Sequence, residues 1–172
     1  MTVQIIIAYL IQIAKPREFM PDQQNGGGPM YDRILVPLDG SDLARAILPR
    51  VQAMAAAFGS EVVLLQVLPE SGVLPKTAAK ERQEAEEHLM QAEQALLKEG
   101  VKALHTIRHG SDVAAEIADY AEVNDIDLIA MSTHGRGGIS RWVLGSVASK
   151  VLRGTTKPIL LVRSPGATVR EA

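Results

Sequence analysis

The sequence predicts an α/β domain in which a parallel sheet is covered by helices on both faces. Three observations carry this. From residue 30 onward, short aliphatic runs alternate with segments of helical period. The apolar content is 47% while aromatics make up only 3%, so the core is built from Leu, Ile, Val, Ala and Met. Strands buried on both faces read as continuous aliphatic runs of this kind, and helices between them imply right-handed βαβ crossovers.

The elements follow in order. Residues 33–38 (Arg-Ile-Leu-Val-Pro-Leu) read as a buried strand. Asp39, Gly40, Ser41 and Asp42 form a turn with helix-capping residues. Leu43, Ile47, Val51, Met54 and Phe58 then recur at steps of four, four, three and four, which is one face of a helix. Pro49 either kinks that helix or displaces its start, and Gly59 ends it. Residues 62–68 are the second strand and residues 69–75 a loop. A long polar helix is expected from about Lys76 to Glu99, with Ala85, Leu89, Ala92 and Leu96 on one face and Gly100 as its cap. Residues 101–108 form a more polar third strand, suited to a sheet edge. Ser111 or Asp112 caps a helix that turns Val113, Ile117, Tyr120 and Ala121 inward. Residues 126–131 are the fourth strand, residues 145–153 a helix, and residues 158–162 the fifth strand.

Outside this pattern lie two ends. Residues 1–29 read as an N-terminal extension and linker. Its Pro- and Gly-rich stretch, Met20 to Pro29, cannot form a packed element. Met30 opens the compact domain, expected over residues 30–165, and is also a possible natural start. Residues 166–172 read as a tail. Val3 to Ala14 is mostly apolar, but its 12 residues fall short of the roughly 20 a spanning helix needs. Basic residues follow it instead of preceding it, unlike a secretory signal. No membrane role is expected.

The formal net charge is −2, which gives no basic face for nucleic acid. With no Cys in the chain, disulfides, thiolate nucleophiles and Cys-based zinc sites are excluded, and a cytoplasmic location is expected. The four histidines, His88, His105, His109 and His134, show no metal-ligand spacing. No protein metal site is expected. His88 reads as solvated, and the acidic run Glu81, Glu84, Glu86 and Glu87 reads as a solvated helix face. No Gly-x-Ser-x-Gly or His-Glu-x-x-His pattern occurs, so no catalytic residue is assigned.

In a parallel sheet, ligands sit beyond the carboxyl ends of the strands, where strand order reverses. That directs attention to residues 37–42, 67–69 and 131–146. The last of these begins at a strand end, with Met131 and Ser132. It holds Gly135, Gly137, Gly138 and Gly145, and it opens a helix at Ser146. Glycines allow close backbone approach, and a helix N-terminus offers unpaired N–H donors and partial positive charge, together an anion site suited to phosphate. Ser146 adds a hydroxyl, and Arg136 and Arg141 add charge. A Gly-rich surface loop fits the same residues. No Lys follows the glycines as in a Walker motif, and Ser140 breaks the G-x-G-x-x-G pattern. Asp39, at the end of the first strand, suits either a helix cap or a contact to ribose hydroxyls.

The opening from Arg33 to Ser41, followed by a helix, resembles that of universal stress proteins. That family's ATP-binding pattern is Gly, two residues, Gly, nine residues, Gly, then Ser or Thr. It maps onto Ser132, Gly135, Gly145 and Ser146, with residues 136–144 as the nine. Ser132 stands where the pattern has its first Gly, a position associated with the ribose region. The resemblance spans Met30 to about Val162. It implies a doubly wound, Rossmann-like sheet in the order 3-2-1-4-5, with ATP as ligand, with or without Mg. Carried over by position, Pro37, Asp39 and Val67 frame adenine and ribose, and Met131 flanks the adenosine. Gly135, Gly145, Ser146 and Val147 hold the phosphates, beside Arg136 and Gly138 in the same loop. The family topology also leaves Ile159, Leu160, Leu161 and Val162 on an apolar sheet edge, which pairing with a second copy would cover. The resemblance thus implies a dimeric, ATP-binding stress-response or regulatory module with at most slow hydrolysis. A nucleotide-free dimeric interaction module of the same fold is the alternative, kept open by Ser132.

Overall fold

The computed structural model describes residues 30–70, 75–133 and 144–163. The extension and linker expected over 1–29 and the tail expected over 166–172 lie outside these. Along the chain come β1 (Arg33–Pro37), α1 (Asp42–Arg45), α2 (Leu48–Phe58), β2 (Glu61–Leu68), α3 (Pro75–Lys98), β3 (Lys102–His109), α4 (Val113–Val123), β4 (Leu128–Ser132), α5 (Ser146–Gly154) and β5 (Ile159–Val162). The strands form one sheet in the order β3-β2-β1-β4-β5, every neighbouring pair parallel. This is the doubly wound order that the resemblance implied. No helix among the described residues is long and apolar enough to cross a membrane.

Alternation along the strands divides the core in two. Ile34, Val36, Val62, Leu64, Leu128 and Ala130 point to one face, where they pack with Ala44 of α1, Val51 and Ala55 of α2, and Leu89, Ala92 and Leu96 of α3. Leu35, Val63, Leu65, Ile129 and Met131 point to the other, against Ala114, Ile117 and Ala121 of α4 and Ala148 and Val151 of α5. Each fully buried Leu or Ile contributes about 1.5–3 kcal/mol. The central strand β1 is shielded on both faces, which is why its sequence does not alternate apolar with polar residues. The outer strand β3 is only half-buried along most of its length and, among the described residues, pairs with β2 alone, as its polar sequence predicted.

One helix expected over residues 43–58 is in fact two. α1 ends at Arg45, and α2 starts at Leu48 with Pro49 in its first turn. A proline there sacrifices no hydrogen bond, because the first N–H groups of a helix have no internal acceptor. Ile47 is fully buried at the junction. The apolar steps therefore continue across a break in the backbone. α2 closes at Gly59, whose φ of 73° lies in the left-handed region. The strand limits shift by a residue or two. β4 starts at Leu128 instead of Ile126, whose N–H is used at the end of α4, donating to the Ala121 carbonyl at 3.2 Å. Arg33 N donates to Asp127 Oδ2 at 2.9 Å, and Asp127 N donates to the Arg33 carbonyl at 3.0 Å.

Candidate functional site

In the order β3-β2-β1-β4-β5 the direction of winding reverses between β1 and β4, so the crevice opens beyond their carboxyl ends. The register pairs Ile34 with Leu128 and Leu35 with Ile129. Carried two residues further, it sets Pro37 opposite Met131. On β2, Leu65 pairs with Pro37, and Val67 lies one pleat beyond it on the same face. Val67 and Met131 both belong to the cluster under α4 and α5, together with Leu144 and Val147 at the start of α5. Three strand ends and one helix start thus converge on one apolar corner.

The lip of the crevice is the turn after β1. Leu38 N still reaches the Leu65 carbonyl at 2.8 Å, and the chain then leaves the sheet. Asp39 Oδ1 accepts from Ser41 N at 3.0 Å and from Ser41 Oγ at 2.6 Å. Ser41 Oγ in turn accepts from Ala44 N at 3.2 Å, and Ser41 is the N-cap of α1. Of the residues that qualified as the cap, Ser41 fills the role and Asp39 braces it.

On the opposite side of the crevice the chain returns from the Gly-rich loop. Thr133 N donates to the Val162 carbonyl at 2.9 Å, and the Thr133 carbonyl accepts from Gly145 N at 2.9 Å. The two ends of the loop are thereby clipped together at the end of β4. Gly145 is the N-cap of α5, which has no side-chain cap and no acidic residue in its first turn. Its first turn therefore holds no carboxylate to neutralise the leading N–H groups and the helix dipole. Ser146 and Val147 form that first turn. Gly135, Arg136 and Gly138, with His134 and Arg141, lie outside the described residues.

Ser132 points the other way. It is buried, on the face of β4 that carries Leu128 and Ala130, and its Oγ donates to the Ala44 carbonyl at 3.3 Å. Period two along the strand explains this: Met131 turns to the apolar corner, so Ser132 turns to α1. The hydroxyl that replaces the pattern's glycine therefore holds the lip helix to the end of β4.

A second polar contact fixes α5 itself. Lys150 Nζ donates to Asp112 Oδ2 at 3.0 Å, while Asp112 Oδ1 caps α4 through the N–H groups of Ala114 and Ala115. The Lys150 hydrogen bond, then those two N–H donors, hold the Asp112 carboxyl below the usual aspartate range. Among the described residues, no group of His, Asp and Glu side chains is arranged to hold a metal ion.

With this geometry in place, comparison with known proteins is decisive. Residues 30–163 match the Universal stress protein family. The chain belongs to the universal stress protein family. A universal stress protein of Methanocaldococcus jannaschii, MJ0531, is 32% identical over 147 residues, a match covering 81% of this chain and 86% of the relative. The solved structure of hypothetical protein MJ0577 superposes with a TM-score of 0.69 at 30% identity, covering 80% of this chain and 99% of that one. The universal stress protein of Archaeoglobus fulgidus, solved in complex with dAMP, gives a TM-score of 0.63 at 25% identity, covering 77% and 98%.

Against the universal stress protein pattern, the sequence-predicted residues divide clearly. Pro37, Val67 and Met131 stand at or near the carboxyl ends of β1, β2 and β4, Gly145, Ser146 and Val147 open α5, Asp39 lies in the turn after β1, and Ser132 ties the helix after that turn to β4 from the other face of the sheet. Two participants were missed. Leu144 completes the apolar corner, and Thr133 supplies the carbonyl that closes the loop. Leu144 could have been found as the apolar residue just before the helix cap. The Thr133 contact is a main-chain bond and leaves no trace in residue type.

Proposed function

We propose that this universal stress protein domain binds an adenine nucleotide, ATP with or without Mg, as a stress-response or regulatory module. The observation that carries the reading is the meeting, at the β1/β4 switch point, of an apolar corner with the uncapped N-terminus of α5. The adenosine packs against Pro37, Val67 and Met131, and the ribose hydroxyls reach Asp39. The phosphates lie on Gly145, Ser146 and Val147, and by position in the family pattern Gly135 belongs to the same set, beside Arg136 and Gly138. The donor set fits the ligand: apolar surface where the base needs it, and main-chain N–H groups with no competing carboxylate where the anion needs them. The dAMP held by the Archaeoglobus relative supports the same class of ligand.

Calorimetric titration with AMP and ATP tests this. The expected result is one nucleotide per chain. Asp39→Ala weakens it by about 1–3 kcal/mol if the carboxylate accepts from ribose hydroxyls. Asp39→Asn, which still accepts from Ser41, separates the loss of charge from the loss of turn structure. If neither the parent nor Ser132→Gly takes up any adenine nucleotide while circular dichroism shows both folded, the reading fails.

The chain also forms a homodimer through β5 in this reading. Ile159, Leu160 and Leu161 are each only half-buried on a strand that, among the described residues, pairs with β4 alone, and a second copy along that edge removes the exposed apolar ladder. Light scattering at micromolar concentration should give twice the 18.5 kDa chain mass. A strictly monomeric mass sinks this part of the reading.

A further inference from the structure

We propose that His105 is a proton-operated clamp: as an imidazolium held between Glu86 and Glu93, it fastens the long helix α3 to the outer strand β3, and deprotonation loosens it. The geometry requires the charged form. His105 lies on the face of β3 covered by α3, with Ala103 and Ile107, and its side chain is 18% exposed. Its Nε2 is 3.0 Å from Glu86 Oε1, and its Nδ1 contacts Glu93 Oε2. An ionised carboxylate only accepts hydrogen bonds, and a neutral imidazole carries one N–H and one lone pair. A neutral His105 would aim its lone pair at a carboxylate. Only the doubly protonated ring satisfies both partners, through two charge-assisted bonds.

Among the described residues, no other charged group is paired with the ring. From α3, the groups that meet the ring are the two glutamates, seven residues apart and hence two turns apart on the same flank of the helix. From β2, the register sets Leu64 directly opposite, with Gln66 beside it on the same face. β3 itself offers Ala103 and Ile107 on that face. The His105 pair partners among the described residues are Glu86 and Glu93. Burial pushes the imidazole down, but the two carboxylates outweigh it and hold its pKa above 6.5.

The sign of the pH dependence follows. A group whose folded pKa is raised stabilises the fold fully below its unfolded value, and that stabilisation is lost as pH rises through the folded value. The clamp is therefore closed in mild acid and open in alkali.

The test is an NMR titration of the imidazole of the full chain, with His105→Gln used to assign the resonance. The expected midpoint lies above 6.5 and falls in the Glu86→Gln/Glu93→Gln variant. A parent midpoint at or below 6.5, or one unmoved by removing both carboxylates, overturns the proposal. Denaturant unfolding gives an independent reading. The unfolding constants of parent and His105→Gln should differ about five- to tenfold near pH 6 and converge as pH rises through the folded midpoint that the titration reads. A difference that stays flat across that range also overturns it. If the variants fail to fold, the titration of the parent alone decides.

Discussion

Gly145→Val is expected to weaken adenine-nucleotide binding by about 100-fold or more, roughly 2.7 kcal/mol, in a protein whose sheet stays intact. The backbone at Gly145 has φ −52° and ψ 150°, a negative φ outside the left-handed region that favours glycine. Valine therefore introduces no main-chain strain there, and Gly145 N keeps its bond to Thr133. What valine removes is close approach. A branched side chain at the N-cap stands where an anion must come within hydrogen-bond distance of the first N–H groups of α5. Calorimetry against AMP and ATP reads the affinity, and far-ultraviolet circular dichroism reads the fold. Parent-like affinity would show that phosphates do not sit at this helix start.

Ile129→Ala is the substitution expected to damage the fold most, by about 2–5 kcal/mol. Ile129 is fully buried in β4, paired with Leu35 on one side and Ile159 on the other, within the cluster covered by α4 and α5. Strands on both flanks and helices above leave little room for collapse, so the cavity persists. A domain of this size has about 5–15 kcal/mol in total, so the loss is a large share of it. Denaturant unfolding measures it as a shift in midpoint at constant slope. A loss below about 1 kcal/mol would mean that the layers close over the gap.

Much of the fold was legible because burial on both faces writes itself into composition. The runs at 34–36, 62–65 and 128–131 have no polar residue to hide, and Ala85, Leu89, Ala92 and Leu96, spaced at helical period, are all buried. Asp112 was one of two caps considered and is the one used. Other features were illegible for physical reasons. The break between α1 and α2 leaves the apolar steps from Leu43 to Phe58 intact, because Ile47 packs inward whether or not it is helical. His88, expected to be solvated, is half-buried, and its carbonyl accepts from Arg45 at 3.1 Å. Glu86 read as part of a solvated face, yet it meets His105, 19 residues away. That pairing depends on how β3 slides beneath α3, which no local pattern encodes. At the site, strand ends could be located from apolar runs. The orientation of Ser132 depended on counting faces along β4.

The long helix α3 has the mechanics of a cantilever. At 1.5 Å per residue, its 24 residues span about 36 Å. Its anchors lie between Ala85 and Leu96: four buried side chains, the His105 contacts at Glu86 and Glu93, and Arg45 gripping the His88 carbonyl and Gln91. None of residues 77–84 is buried. That overhang is held by local ties, Lys80 to Glu84 and Gln83 to Glu87, each worth only about 0.2–0.5 kcal/mol. An isolated helix of this length is marginal in water. The helix is thus anchored by burial over the sheet and by local ties beyond it, and its N-terminal end follows the chain that leaves β2 just past Val67.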